Sequence, residues 1–186
     1  DNKRNYRFIV TQGKEVLMYD SKGKIVKGFT FKKATSTIVL APQHFRMARK
    51  DYILIAEENG TLNILSRVGK SRVSVKKSFN FSTMSIAKEG DNFVVITKEN
   101  TKESISQTGK ITTKKLAVSS NYWFSIKGKT KATLDDYLLR INGKLIELPF
   151  GIYTKPEIFT INRTTYITIT ETQEHKVYVY LKNGDL

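Results

Sequence analysis

The chain has 186 residues, of which 39% are hydrophobic and 26% charged, and its net charge is +15. This composition excludes a disordered chain, and no apolar run reaches the roughly 20 residues that a membrane-spanning helix needs. Cysteine is absent and the two histidines, His44 and His175, lie far apart, which excludes disulfides and thiolate chemistry and leaves no pattern for a cofactor or a metal.

Strand signals run from one end of the chain to the other. Val, Ile, Thr, Tyr and Phe are abundant, and apolar residues recur with a period near two, which is typical of β-strands and not of helices. We therefore expect an all-β protein. In chain order, the predicted strands are 6–10, 15–19 and 25–31; 45–48, 52–57, 61–65 and 72–75; 83–87, 93–97, 103–106 and 111–116; 122–126, 131–134, 137–141 and 144–148; and 157–161, 165–170 and 176–181.

A glycine recurs at the same turn of each predicted group, after the third strand of the later groups and after strand 15–19 of the first group, which has no inner strand. The five positions are Gly23, Gly69, Gly109, Gly143 and Gly184, with spacings of 46, 40, 34 and 41 residues. Glycine suits such a place because a tight hairpin turn often requires positive φ. A period near 40 residues is the length of one propeller blade. The sequence therefore predicts a β-propeller, or a propeller segment, of about five four-stranded blades.

The first and last predicted blades are incomplete. The first lacks an inner strand and the last lacks an outer strand, so a ring would leave two sheet edges open. We expect residues 1–186 to form a single propeller-like domain within a longer chain, and the first residue, Asp1 and not Met, suggests a processed product or an excised piece. Two alternatives stay open: the end units close a small ring, or the strands form two packed sheets.

Several segments resemble a known class of protein. Residues 42–46 (PQHFR), 59–65 (NGTLNIL) and 142–145 (NGKL) are similar to segments of bacterial β-propeller repeat proteins with degenerate quinoprotein-like or WD-type blades, especially the propeller regions of long envelope proteins. The resemblance covers the whole chain as a blade pattern. It implies the propeller fold and a bacterial envelope location. It does not imply quinone-dependent activity, because the tryptophan docking motif and the Trp-Asp pair are absent.

Few residues suggest a catalytic or binding role. Asp135-Asp136 and Glu57-Glu58 each precede a predicted turn, where acidic side chains usually make local hydrogen bonds. His44 lies directly before a predicted inner strand and Arg46 near its start, so both could line a central channel; the alternative for His44 is a structural role, with its side chain bonded to the backbone. Trp123 follows Tyr122 and precedes Phe124; aromatic side chains either pack between blades or stack on ligands. We take His44, Arg46 and Trp123 as candidate binding residues and identify no catalytic residue.

The sequence thus favours a non-enzymatic scaffold that presents a rigid surface to a protein partner, since function in propellers resides in their loops. The alternative is a basic module that binds nucleic acid or another polyanion. This alternative rests on the excess of basic residues, 32 Lys and Arg against 17 Asp and Glu. Solvated lysines on strand faces and edges also explain this charge, because they discourage association between sheet edges.

Overall fold

A computed structural model describes residues 6–186, and every regular element in this range is a β-strand. The strands are β1 (Arg7–Gln12), β2 (Glu15–Asp20), β3 (Gln43–Met47), β4 (Lys50–Ala56), β5 (Leu62–Leu65), β6 (Ser71–Val73), β7 (Ala87–Glu89), β8 (Asn92–Ile96), β9 (Thr101–Ile105), β10 (Ile111–Lys115), β11 (Tyr122–Lys127), β12 (Thr130–Asp135), β13 (Leu138–Ile141), β14 (Lys144–Glu147), β15 (Glu157–Ile161), β16 (Thr164–Glu171) and β17 (Lys176–Leu181).

These strands form five sheets whose strands follow one another in chain order. The sheets contain β1–β2, β3–β6, β7–β10, β11–β14 and β15–β17, so three have four strands, the first has two and the last has three. The all-β class and the incomplete first and last units are confirmed. The predicted limits of the inner and third strands in the last unit, 157–161 and 176–181, agree with β15 and β17.

The glycine turns set the repeat. All five predicted turn glycines have positive φ, from +73° to +96°. In four of these turns, the glycine N–H donates to the carbonyl three residues earlier, as Gly69 does to Ser66 and Gly109 does to Ser106. The turn between the second and third strands of a sheet repeats as well. The amide of Gly60 donates to the carbonyl of Glu57, and the amide of Asn100 donates to the carbonyl of Thr97. Asparagine tolerates the left-handed backbone better than most residues, which explains why it replaces glycine at position 100, where φ is +55°.

Two predicted strands are wrong. Residues 83–86 are not a strand, and the inner strand of the third sheet is β7. The hydroxyl of Ser82 donates to the carbonyl of Ile96 and accepts from the amide of Met84. The second bond is local, and such local bonds compete with a strand ladder. Residues 25–31 form only one bridge, between Ile25 and Tyr19, because a turn closed by the Phe29 amide on Val26 interrupts them.

The chain divides into two compact units, which among the described residues are 6–86 with 91–113, and 87–90 with 114–186. In the first unit, β4 is buried on both faces. Tyr52 and Leu54 belong to one apolar cluster, together with Phe93 of β8, while Ile53 and Ile55 belong to a second cluster with Met18 of β2. This double burial explains why β4 is almost continuously apolar, since alternate side chains of a strand point to opposite faces.

The second unit has one apolar cluster. It joins the side chains of β12 and β13 to those of β15, β16 and β17, and its fully buried members are Ala132, Leu134, Leu139, Ile141, Ile167 and Ile169. Trp123, Ile146 and Tyr178 pack against this cluster while partly buried. Each unit therefore buries apolar side chains between neighbouring sheets of its own. Whether residues 1–186 constitute one domain of a longer chain stays a prediction.

Candidate functional site

A basic pocket lies in the first unit, where the β1–β2 sheet faces β3 and β4. Its volume is about 490 Å³. It is lined by the charged or titratable Tyr6, Arg7, His44, Arg46, Asp51 and Arg67, by the apolar Ile9, Met18, Pro42 and Ile53, and by Gln43. Met18 and Ile53 are 2% and 3% exposed, so the apolar residues form a closed floor, while all three arginines are exposed at the rim.

Strand register brings the pocket residues together. In the β3–β4 hairpin, His44 lies opposite Ile53 and Arg46 lies opposite Asp51, so all four share one face. The intervening residue, Phe45, points to the other face and packs against the ring of Phe93. On β1, Arg7 and Ile9 alternate in the same way. The hairpins thus place basic groups around an apolar floor.

Asp51 is the only acidic side chain among the described residues that line the pocket. Its Oδ1 lies 3.1 Å from Nε2 of His44 and 3.8 Å from Nη1 of Arg46. The contact to His44 has hydrogen-bond length, whereas the contact to Arg46 is too long for one. Positive charge therefore exceeds negative charge at the pocket.

The candidate residues from the sequence are only partly brought together. His44 and Arg46 share the pocket, and His44 is bonded to Asp51 and not to the backbone. Trp123 lies on β11 in the second unit, partly buried against that unit's core. A binding role for His44, Arg46 and Trp123 stays a prediction. Sequence reasoning missed Arg7, whose only signal was the alternation of a basic residue with apolar residues on a predicted strand, and Arg67, which lies in a turn and gave no signal.

The paired acidic residues do not make the local turn hydrogen bonds that the sequence predicted, because their partners lie in other segments. The Asp135 carboxylate accepts the Ser119 amide at 2.8 Å, and that of Asp136 accepts the Asn121 side-chain amide at 3.0 Å. His175 lies in a turn, with φ of +56°. Among residues 6–186, no cluster of three His, Cys, Asp or Glu side chains could hold a metal ion. No helix in this range is long and apolar enough to span a membrane.

Glu57 directly follows β4 and is 1% exposed. Its carboxylate accepts hydrogen bonds from the Thr35 hydroxyl at 2.5 Å, the Ser36 amide at 2.7 Å and the Asn63 side-chain amide at 2.5 Å. Burial by itself would raise the pKa of Glu57, but these donors together hold its pKa below the usual value. The charged carboxylate therefore ties the loop before β3 to the β4–β5 turn.

This lowered pKa predicts acid sensitivity. A carboxyl group whose pKa is lower in the folded than in the unfolded state stabilises the fold fully above the unfolded value, near 4.5, and loses that contribution as the pH falls through the folded pKa. We expect the urea concentration at the unfolding midpoint to decrease as the pH is lowered below 4.5. In Glu57→Gln this decrease should be smaller than in wild type. A Glu58→Gln variant, which changes the exposed neighbour, is the control. Equal acid dependence in wild type and Glu57→Gln would contradict the prediction.

The described part of the first unit also carries an apolar strip on β1 and the residue before it. The strip consists of Tyr6, Phe8 and Val10, which are 66%, 58% and 49% exposed. Phe8 and Val10 alternate with Arg7 and Ile9 on β1, so they lie on the face opposite the pocket floor, whereas Tyr6, which precedes β1, also lines the pocket. In the second unit, Val177 and Val179 of the edge strand β17 are 62% and 43% exposed.

No protein-family model matches the chain, and no curated protein matches it. Solved structures do match. BBS1N, crystallised in complex with ARL6DN, is similar with a TM-score of 0.70 and 16% identity over 97% of this chain and 62% of that one. The chain thus spans less than two thirds of BBS1N.

Two further structures are similar over most of the chain. KlHsv2 with loop 6CD replaced by a Gly-Ser linker gives a TM-score of 0.54 and 13% identity over 94% of this chain and 67% of that one. The computationally designed Ika8 protein gives a TM-score of 0.52 and 11% identity over 92% of this chain and 60% of that one. At these identities the likeness concerns the fold alone. Together with the repeated four-stranded sheets, it shows that the chain has the β-propeller fold.

Proposed function

We propose that the chain is a non-enzymatic β-propeller scaffold that binds a protein partner. The observation that carries the proposal is the apolar strip, Tyr6, Phe8 and Val10. Adjacent exposed aromatic and aliphatic side chains on one strand are costly in water and typically mark an interaction surface. Tyrosine and phenylalanine are also enriched at protein interfaces.

Charge defines the partner further. The strip alternates with Arg7, and the whole chain carries +15. Complementary charge increases association rates and suppresses wrong partners. The partner should therefore be a protein with an apolar patch surrounded by acidic side chains. BBS1N, which is similar to this chain, was crystallised with another protein, ARL6DN, and so provides a precedent for protein binding by this fold.

The second candidate function is binding of nucleic acid or another polyanion. The net charge favours it, and such binding weakens steeply as salt rises. The apolar strip favours it less, because phosphate backbones are recognised by basic and polar groups and Val10 offers no ring on which a base could stack. We therefore place protein binding first.

The proposal is tested with a charge placed in the strip. We expect wild type to retain one discrete acidic protein from a lysate of the source organism, which is then identified, purified and titrated by calorimetry. Phe8→Asp should weaken this complex at least about tenfold, because the loss of an aromatic anchor typically costs more than 1 kcal/mol. Val177→Asp is the matched control, since it adds the same charge to an exposed strand residue of the second unit.

Three results would contradict the proposal. The first is that wild type retains no discrete protein. The second is that Phe8→Asp and Val177→Asp bind as tightly as wild type. The third is that nucleic acid alone is retained and is released by salt equally from all three proteins, which would instead support the polyanion function. Circular dichroism of both variants checks that the strand content is unchanged.

A further inference from the structure

We propose that the basic pocket binds a small organic phosphate monoester. In this proposal, the guanidinium groups of Arg7, Arg46 and Arg67 bind the phosphate, and the organic part lies over Ile9, Met18 and Ile53. This inference is tested separately from the protein-binding proposal, because Phe8 and Val10 lie on the face of β1 opposite the pocket floor and only Tyr6 of the strip also lines the pocket.

The charge of the pocket fits a dianion. Three arginines against Asp51 leave two positive charges when His44 is neutral. A phosphate monoester carries about −1.5 to −2 at pH 7, whereas a carboxylate carries only one negative charge. Arginine also presents a planar fork of donors that binds phosphate oxygens in pairs, which lysine does not do.

The arginine donors are available for a ligand. Arg7 lies opposite Asp20 in the β1–β2 register, but Oδ1 of Asp20 accepts the amides of Lys22 and Lys24, each at 2.9 Å. Within the part of the chain that the structure describes, neither Arg7 nor Arg67 forms an ion pair with a carboxylate, and Arg46 reaches Asp51 only at 3.8 Å. The carboxylate of Asp51, the one acidic group among the described residues of the pocket, accepts a hydrogen bond from Nε2 of His44.

The floor explains why the ligand should be an organic phosphate and not the bare ion. Ile9, Met18 and Ile53 offer an apolar surface below the arginines. Sites for small molecules typically combine such a surface with a few charged groups and have volumes of about 300 to 1,000 Å³. A pocket of about 490 Å³ lies in this range. A small aromatic or aliphatic group attached to the phosphate would cover the floor.

Calorimetric titration with phenyl phosphate, inorganic phosphate and benzoate tests the proposal. We expect saturable binding of phenyl phosphate, with inorganic phosphate and benzoate each at least about tenfold weaker. Arg67→Gln and Arg7→Gln should each weaken phenyl phosphate binding at least about tenfold, because each removes a charge-assisted pair of hydrogen bonds. Arg163→Gln removes the same charge from an exposed position in the second unit and should leave binding unchanged.

Each alternative result would overturn a named part of the proposal. Absence of saturable phenyl phosphate binding would overturn it entirely. Equal losses in Arg67→Gln, Arg7→Gln and Arg163→Gln would show that net charge, not the pocket, attracts the ligand. Benzoate binding as tight as phenyl phosphate binding would overturn the preference for a dianion, and equally tight inorganic phosphate would overturn the role of the floor. Titration of Phe8→Asp, which should bind phenyl phosphate like wild type, separates this proposal from the protein-binding proposal.

Discussion

Phe93→Ala is expected to lower the free energy of unfolding by about 3–5 kcal/mol. Phe93 is 0% exposed on β8 in the first unit. Its ring centroid lies 5.2 Å from that of Tyr52 and 6.0 Å from that of Phe45, so three aromatic side chains fill the space between two sheets. Truncation to alanine removes buried apolar area and leaves a cavity that the backbones of two hydrogen-bonded sheets cannot close.

Urea unfolding followed by intrinsic fluorescence or circular dichroism measures this loss. Phe8→Ala is the control, because it deletes the same side chain from a position that is 58% exposed in the same unit, and we expect a change within about 0.5 kcal/mol. A loss below about 1 kcal/mol for Phe93→Ala would show that the space between these sheets is not closely packed. It would contradict the core described for the first unit.

Gly109→Ala is expected to destabilise the protein by about 2 kcal/mol more than Gly23→Ala. Both glycines occupy the same kind of turn, with φ of +87° and +73°, and both donate to the carbonyl three residues earlier. A left-handed backbone costs alanine about 1–2 kcal/mol in either position. The two sites differ in their surroundings, since a Cβ at Gly109 would overlap the carbonyl oxygen of Ser74, whereas nothing lies within 4 Å at Gly23.

The two variants are compared by thermal and urea unfolding under identical conditions. A larger loss of stability for Gly109→Ala would show that this turn also packs against the backbone of Ser74. Equal losses would mean that the turn glycines serve backbone conformation alone, which contradicts the close approach to Ser74. Comparison of the two variants thus separates the two reasons for a glycine in this turn, which are its positive φ and the close approach of other backbone atoms.

Strand positions were predictable where alternation and turn signals agreed. The predicted limits of β15 and β17 match because strong alternation is bounded on both sides by turn residues. The prediction failed at 83–86 and 25–31, where side-chain bonds of Ser82 and a turn at Lys27-Gly28 replace the ladder. Apolar content alone cannot distinguish a strand from an irregular segment that buries a side chain, as Phe29 does.

The pocket was only half predictable. His44 and Arg46 lie at the start of a predicted inner strand, which indicated only that both could line a central channel; in the structure both belong to β3 and share a face. Arg7 and Arg67 are distant in sequence, and only the packing of one sheet on the next brings them to the same cavity. The location in a bacterial envelope and the continuation into a longer chain stay predictions.

Hydrogen exchange of the purified complex tests the central claim, protein binding through the apolar strip, most directly. Amide exchange is measured by mass spectrometry with and without the identified partner. We predict that exchange slows in residues 6–12, which contain the strip, and stays unchanged in 176–181, which carry exposed valines in the second unit. Unchanged exchange in 6–12, with slowing confined to other segments, would contradict the claim.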